Sequence, residues 1–242
     1  MTISVLIAFL PLPLIAHDAT TKYVPNDPAK HQKNIRIYPC PVVCIVVLGN
    51  YSGRHSKTKV LATGEKYHTL LSQRFDRTQE GKRIHFASAM TLLGLSDGDN
   101  ATTGHGYLDI VDFIIQSCTD VERNLQELYR RVAFNICIGN SDDHFRNHGF
   151  LLTAKGWTLS PAYDMNPTLN EYQSLLISST SNKADLSILL DACEDYMLNR
   201  NTAEKIISEV IEVLKEWRRL AVRQGITKRE IDMFSGVLDE AM

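Results

Sequence analysis

The sequence predicts an α+β protein with a mostly helical C-terminal region and a reduced N-terminal segment. Three observations carry that expectation. Apolar residues recur at helical spacing over much of 108–238, a few short β-rich runs stand between turn residues, and the 242 residues are 44% hydrophobic and 22% charged. This composition excludes a largely disordered chain and suffices for one large domain or two small ones. Lys and Arg total 26 against 28 Asp and Glu, a net charge of -2, so nothing draws the chain generally towards nucleic acid or anionic lipid. The cysteines Cys40, Cys44, Cys118, Cys137 and Cys193 are odd in number and scattered, as reduced thiols of a cytoplasmic protein would be.

Taken in order, residues 3–16 form an apolar run too short to span a membrane. The run resembles the apolar core of a secretory leader. No basic residue precedes it, however, and two prolines interrupt it, which makes export the weaker reading. Residues 42–48 read as a buried strand and 67–75 as a second one. A helix is expected over 84–95, another over 108–118, and a longer one over about 120–138. In the longest, Leu125, Leu128, Tyr129, Val132, Ala133 and Ile136 share a face, and Gly139 follows as the C-terminal cap. Residues 149–152 and 157–159 suit two short strands around the turn Ala154-Lys155-Gly156. Leu186, Leu189, Leu190, Cys193 and Met197 form one helical stripe. Ile206, Val210, Leu214, Trp217 and Ala221 form a second, opened by Asn201, and Thr227 with Glu230 reads as a capping box for the last helix. The expected division is an aberrant or truncated segment over 1–66 and a C-terminal domain over 67–242.

The chemistry concentrates in 140–166. Asp142, Asn147 five residues on, and Asp164 beyond the hairpin are three oxygen-bearing side chains in the order that phosphoryl transfer uses. One carboxylate takes the proton of an attacking hydroxyl; a nearby amide oxygen and a second carboxylate hold magnesium against nucleotide phosphates. Each also has a plain structural role open to it. Asp142 could close a turn after the helix, Asn147 could occupy a left-handed turn, and Asp164 could cap a helix.

The run from Gly139 to Asn147 (GNSDDHFRN), followed by Leu159 to Met165 (LSPAYDM), resembles the catalytic segment of the HipA-like serine/threonine kinases. Gln73-Arg74-Phe75-Asp76-Arg77 resembles that family's hinge. The resemblance covers roughly 67–242 and implies a protein-kinase-like (HipA-type) fold, ATP and Mg2+ as cofactors, and transfer of the γ-phosphate to a protein hydroxyl. It implies Asp142 as the catalytic base and Asn147 and Asp164 as metal ligands. Gln73, Arg74, Phe75, His144, Asn147, Tyr163 and Asp164 become nucleotide contacts, the hinge acting through backbone groups, while Asp143 stays a bystander. Many such proteins are toxins of toxin–antitoxin modules. The partners implied are therefore a protein substrate, of the translation machinery in known cases, and a DNA-binding antitoxin, with no direct nucleic-acid or membrane binding.

Residues 1–66 depart from the family. Gly49-Asn50-Tyr51-Ser52-Gly53 is only superficially a phosphate loop, and Lys57, Lys59 and Lys66 lie too near the hinge to serve as the strand lysine. A catalytically impaired kinase-like fragment that binds a partner such as an antitoxin is therefore the alternative. A metal-dependent hydrolase using His144, His148, Asp142 and Asp164 is a third reading, on the H-x-x-x-H spacing.

Overall fold

The structure is a computed structural model, and it describes residues 8–11, 53–62, 67–168, 170–223 and 226–240. Among the described residues, two antiparallel three-stranded sheets carry the strands. The first joins β1 (Ala8–Pro11), β2 (Thr58–Ala62) and β3 (Tyr67–Ser72) in the order β1-β3-β2, with Ala8 opposite Leu70 and Thr58 opposite Ser72. The strand expected over 67–75 thus stops at Ser72, where its ladder with β2 ends. The strand expected over 42–48 lies outside the described residues.

The second sheet joins β4 (His85–Ser88), β5 (Gly149–Thr153) and β6 (Gly156–Leu159), with β5 central. Here the expectation of a helix over 84–95 is corrected. Residues 85–88 pair with β5, Ser88 lying opposite Gly149, and only α1 (Ala89–Leu92) is helical, its start capped by the Ser88 hydroxyl accepting from the Thr91 amide at 3.3 Å. Four ladder positions against β5 outweigh the local helical spacing. Gly149 permits this pairing to carry an aromatic ring, since a Cβ there would sit 2.1 Å from Cε2 of Phe86.

The longer helices among the described residues follow: α2 (Tyr107–Ser117), α3 (Val121–Cys137), α4 (Leu186–Asp191), α5 (Arg200–Leu214), α6 (Trp217–Arg223) and α7 (Lys228–Glu240). The helix α3 is the axis of the core. Leu125, Leu128, Tyr129, Val132, Ala133, Phe134 and Ile136 are all buried along it, and each large apolar side chain so placed contributes about 1.5–3 kcal/mol. Buried hydroxyls on this core are satisfied: Tyr129 donates to the Leu189 carbonyl at 3.0 Å and Tyr196 to that of Ile177 at 2.7 Å.

The two C-terminal stripes are less continuous than their spacing suggests. The first breaks after α4 into a 3-10 turn, Cys193–Tyr196, and Met197 follows in the left-handed region at φ 59, 67% exposed. The second passes from α5 to α6 through Lys215 and Glu216, and its cap is Asn199 rather than Asn201, with the Asn199 side chain accepting from the Thr202 amide at 2.9 Å. Cys118, Cys137 and Cys193 are free thiols, and burial pushes Cys118 and Cys137 up to about 12, as expected of unreactive thiols. Among the described residues no helix is long and apolar enough to cross a membrane.

Candidate active site

The site is built at the C-terminal end of α3. Gly139 takes φ 63 just past the helix, which only glycine adopts cheaply, and the Gly139 and Asn140 amides return to the carbonyls of Ile136 (3.1 Å) and Asn135 (2.9 Å). This closes the helix and throws 140–148 outwards as a loop. Threonine 168 (Thr168) fastens its base, donating to the Gly139 carbonyl at 2.5 Å and accepting the Ser141 amide at 2.9 Å. Ser174 donates twice to the Ser141 carbonyl, from its amide (3.1 Å) and its hydroxyl (2.9 Å).

On this loop Asp142 is exposed and Asn147 is buried. The hairpin of β5 and β6 returns the chain to Tyr163 and Asp164. The Tyr163 hydroxyl donates to the Arg146 carbonyl at 2.6 Å, tying the returning segment to the loop. Asp164 is exposed, sits in the left-handed region at φ 56 and accepts from the Asn166 amide group at 2.8 Å. A left-handed non-glycine residue costs on the order of 1 kcal/mol, and such outliers gather at functional sites.

Asp142 senses Asp164. The Asp142 carboxyl is pushed above its ordinary range, chiefly by partial desolvation, with Asp164 and Asp143 adding to the rise and His144 and Arg146 opposing it. A proton acceptor gains efficiency as its pKa climbs towards the operating pH. Asn147 donates its Nδ2 in a long contact (3.4 Å) to the Asp142 carbonyl. That orientation leaves Oδ1 with no donor among the described residues, so it could face a cation. An amide oxygen and one exposed carboxylate are what magnesium asks of a protein, since nucleotide phosphates and water supply the remaining oxygens.

At the hinge, three aromatic rings gather. Phe75 lies 5.8 Å from Phe86 and 5.6 Å from Tyr163 between ring centroids, and Phe86 lies 6.2 Å from Tyr163. The main chain of Gln73 is already engaged, its amide donating to the Lys57 carbonyl at 2.8 Å and its carbonyl accepting the Ser56 hydroxyl at 3.1 Å. The backbone groups of Arg74 and Phe75 remain free for a base among the described residues. The Arg74 guanidinium does not, because it forks onto Asp76 at 2.7 and 2.5 Å, and Arg77 adds a third bond to that carboxylate at 2.7 Å. His144 lines a separate pocket of about 130 Å³ with Phe145, Arg146, Met90, Asp97 and Asp99.

The hydrolase arrangement does not form. His148 is buried and bonded to Asp143, whereas Asp142 and Asp164 are exposed, and among the described residues no three His, Cys, Asp or Glu side chains could hold a metal together.

Sequence reasoning missed Asp143, which it left as a bystander. Its side chain is wholly buried, and Oδ2 alone accepts from Tyr107 Oη at 2.7 Å, Asn135 Nδ2 at 2.6 Å and His148 Nε2 at 2.8 Å. The spacing of Asp143 and His148 around the apolar Phe145 was the one available signal; Tyr107 and Asn135 lie too far away in sequence to be read. Burial alone would raise the Asp143 carboxyl, but the His148 charge and the bonds from His148 and Tyr107 outweigh it and hold the group below the ordinary range. A carboxyl so depressed stabilises the fold fully above the unfolded value, near pH 4, and loses that contribution as pH falls towards the lower folded value. In urea unfolding between pH 5 and pH 2 (both about these values), the native chain should lose stability more steeply than Asp143→Asn; equal slopes would contradict the assignment.

Comparisons with known proteins give one family and its fold. The profile of the family described as "HipA-like C-terminal domain" matches residues 42–217. The serine/threonine-protein kinase toxin HipA of Shewanella oneidensis is 29% identical over 117 residues, 41% of this chain and 27% of that protein. Among solved structures, the Shewanella oneidensis HipA–HipB–operator DNA complex gives a TM-score of 0.67 at 16% identity over 82% of this chain and 53% of that one. The Helicobacter pylori proinflammatory kinase CtkA gives 0.53 at 14% identity, over 90% and 84%. The chain thus spans about a quarter of the curated relative and about half of the first structure. These structures share its fold, an α+β kinase-like arrangement with a helical C-terminal lobe.

Proposed function

The chain belongs to the HipA-like C-terminal domain family, and from that premise we propose that it is a serine/threonine protein kinase of the toxin type. It would move the γ-phosphoryl group of ATP to a protein hydroxyl. Asp142 accepts the hydroxyl proton as the oxygen bonds to the γ-phosphorus, and the bond to the β-bridging oxygen breaks to release ADP. Asn147 Oδ1 and the Asp164 carboxylate hold Mg2+, which when bound neutralises charge on the phosphates. Phe75, Phe86 and Tyr163 wall the adenine, and the Arg74 and Phe75 backbone meets its edge. A cytoplasmic location accords with the free thiols.

What supports this reading is the electrostatic influence of Asp164 on Asp142, the two segments that carry them being tied by the Tyr163–Arg146 bond. With labelled ATP and magnesium, the chain should label itself or a Ser/Thr-rich protein. Asp142→Asn should lower that rate about 10²–10⁴-fold. Labelling that survives the substitution would exclude Asp142 as the base.

A second reading is a kinase-like chain that binds a DNA-binding antitoxin without catalysis. The antitoxin partner is supported by the HipA–HipB complex among its structural relatives. Absent labelling together with a stable complex with a HipB-like protein would select it.

A further inference from the structure

We propose that Asp143 is a positioning residue for the magnesium–nucleotide site, holding Asp142 and Asn147 in register from beneath the loop. The inference rests on the kinase reading and adds to it a role for a residue that touches neither nucleotide nor metal.

The hub joins two helices and both ends of the loop through one carboxylate oxygen. Tyr107 comes from the first turn of α2, Asn135 from the last turn of α3, and His148 from the residue before β5. Asn135 extends the network, its Oδ1 accepting Asn140 Nδ2 at 3.1 Å where the chain leaves α3. Asp142 immediately precedes Asp143, and Asn147 immediately precedes His148. The Asp143–His148 bond therefore staples both ends of the span that carries the base and the amide ligand.

Other bonds reach this span from outside, the Tyr163 hydroxyl at the Arg146 carbonyl (2.6 Å) and the Met90 amide at the Phe145 carbonyl (3.3 Å), but neither joins its two ends. Within it, the Asn147 amide donates to the His144 carbonyl at 2.8 Å, while the side-chain contact from Asn147 to the Asp142 carbonyl is long, at 3.4 Å. Asp143, Asn135 and His148 are each at most 2% exposed, so the hub competes with no water. Buried, fully directed bonds of this kind hold ligand geometry, and losing a partner behind a ligand typically weakens metal affinity about 10–100-fold.

The test separates positioning from mere folding by measuring two ligands by calorimetry on the full chain, at a temperature where circular dichroism shows each variant folded. Adenosine reports the hinge alone; the gain in ATP affinity on adding magnesium reports Asn147 and Asp164. In Asp143→Ala the magnesium-dependent gain should fall by about tenfold or more, with adenosine affinity within about twofold of the native chain. Asp143→Asn can place Oδ1 where Oδ2 stood and should recover most of the gain. If Asp143→Ala does not fold, Tyr107→Phe, which removes one donor, should lower the same gain about threefold.

Adenosine and magnesium-dependent binding falling together, neither falling, or Asp143→Asn faring no better than Asp143→Ala would overturn the inference. An unchanged Tyr107→Phe would do the same. A native chain that binds adenosine and ATP but gains nothing from magnesium, or that binds neither, would instead remove the kinase reading and this inference with it.

Discussion

Replacing Glu127 by alanine should destabilise the fold by about 3–5 kcal/mol, the usual cost of removing one member of a buried ion pair. Glu127 and Arg131 lie one turn apart on α3, and both side chains are almost fully enclosed. Glu127 Oε1 accepts from Arg131 Nε at 3.3 Å, from its terminal nitrogen at 3.2 Å, and from the Arg54 amide at 3.0 Å. The Arg54 guanidinium is held below its usual value, first by burial; Glu127 acts against that shift, while Arg131 and Arg123 add to it. Without Glu127, the buried Arg131 guanidinium would lose the carboxylate it is bonded to.

The effect would reach the site, because this cluster supports the chain leading to Asp164. Arg54 donates to the Leu159 carbonyl at 2.7 Å and Arg131 to that of Ser160. The Arg54 carbonyl accepts the Ala162 amide at 2.7 Å, and the Ser56 amide returns to the Ala162 carbonyl at 2.8 Å. Glu127→Gln keeps an acceptor oxygen and should lose less. Urea unfolding measures both, and a loss below about 1 kcal/mol for Glu127→Ala would show that the cluster contributes nothing net.

How much of the fold could be read depended on where each element finds its partners. The helices α2 and α3 carry their own periodic faces, so their spacing located them within a residue or two. The hairpin of β5 and β6 was legible from its turn. Strand β4 was not, because Phe86 and Ala87 also suit a helix face, and only pairing with β5 decides between the two. The break after α4 was hidden for a related reason. Met197 continues the spacing of Leu186, Leu189 and Cys193, yet the backbone turns left-handed there and exposes it.

The site divides in the same way. Asp142, Asn147 and Asp164 were visible because one loop and one hairpin carry all three. The aromatic wall was half visible: Phe75 and Tyr163 came with their motifs, whereas Phe86 required the corrected strand. The Arg54–Glu127–Arg131 cluster and the partners of Asp143 depend on tertiary contacts between segments far apart in the chain, and no local pattern announces them.

Magnesium-dependent nucleotide binding is the most direct measure of whether Asn147 and Asp164 form a cation site at all. Asp164 is exposed, so truncating its side chain should leave the fold standing while removing the only carboxylate proposed to hold the ion. Calorimetry of ATP with magnesium, native chain against Asp164→Ala, should show the magnesium-dependent affinity reduced about 100-fold, at the upper end of what losing even an outer partner of a metal costs. Adenosine binding should be unchanged. Equal magnesium-dependent binding by the two proteins would contradict the site.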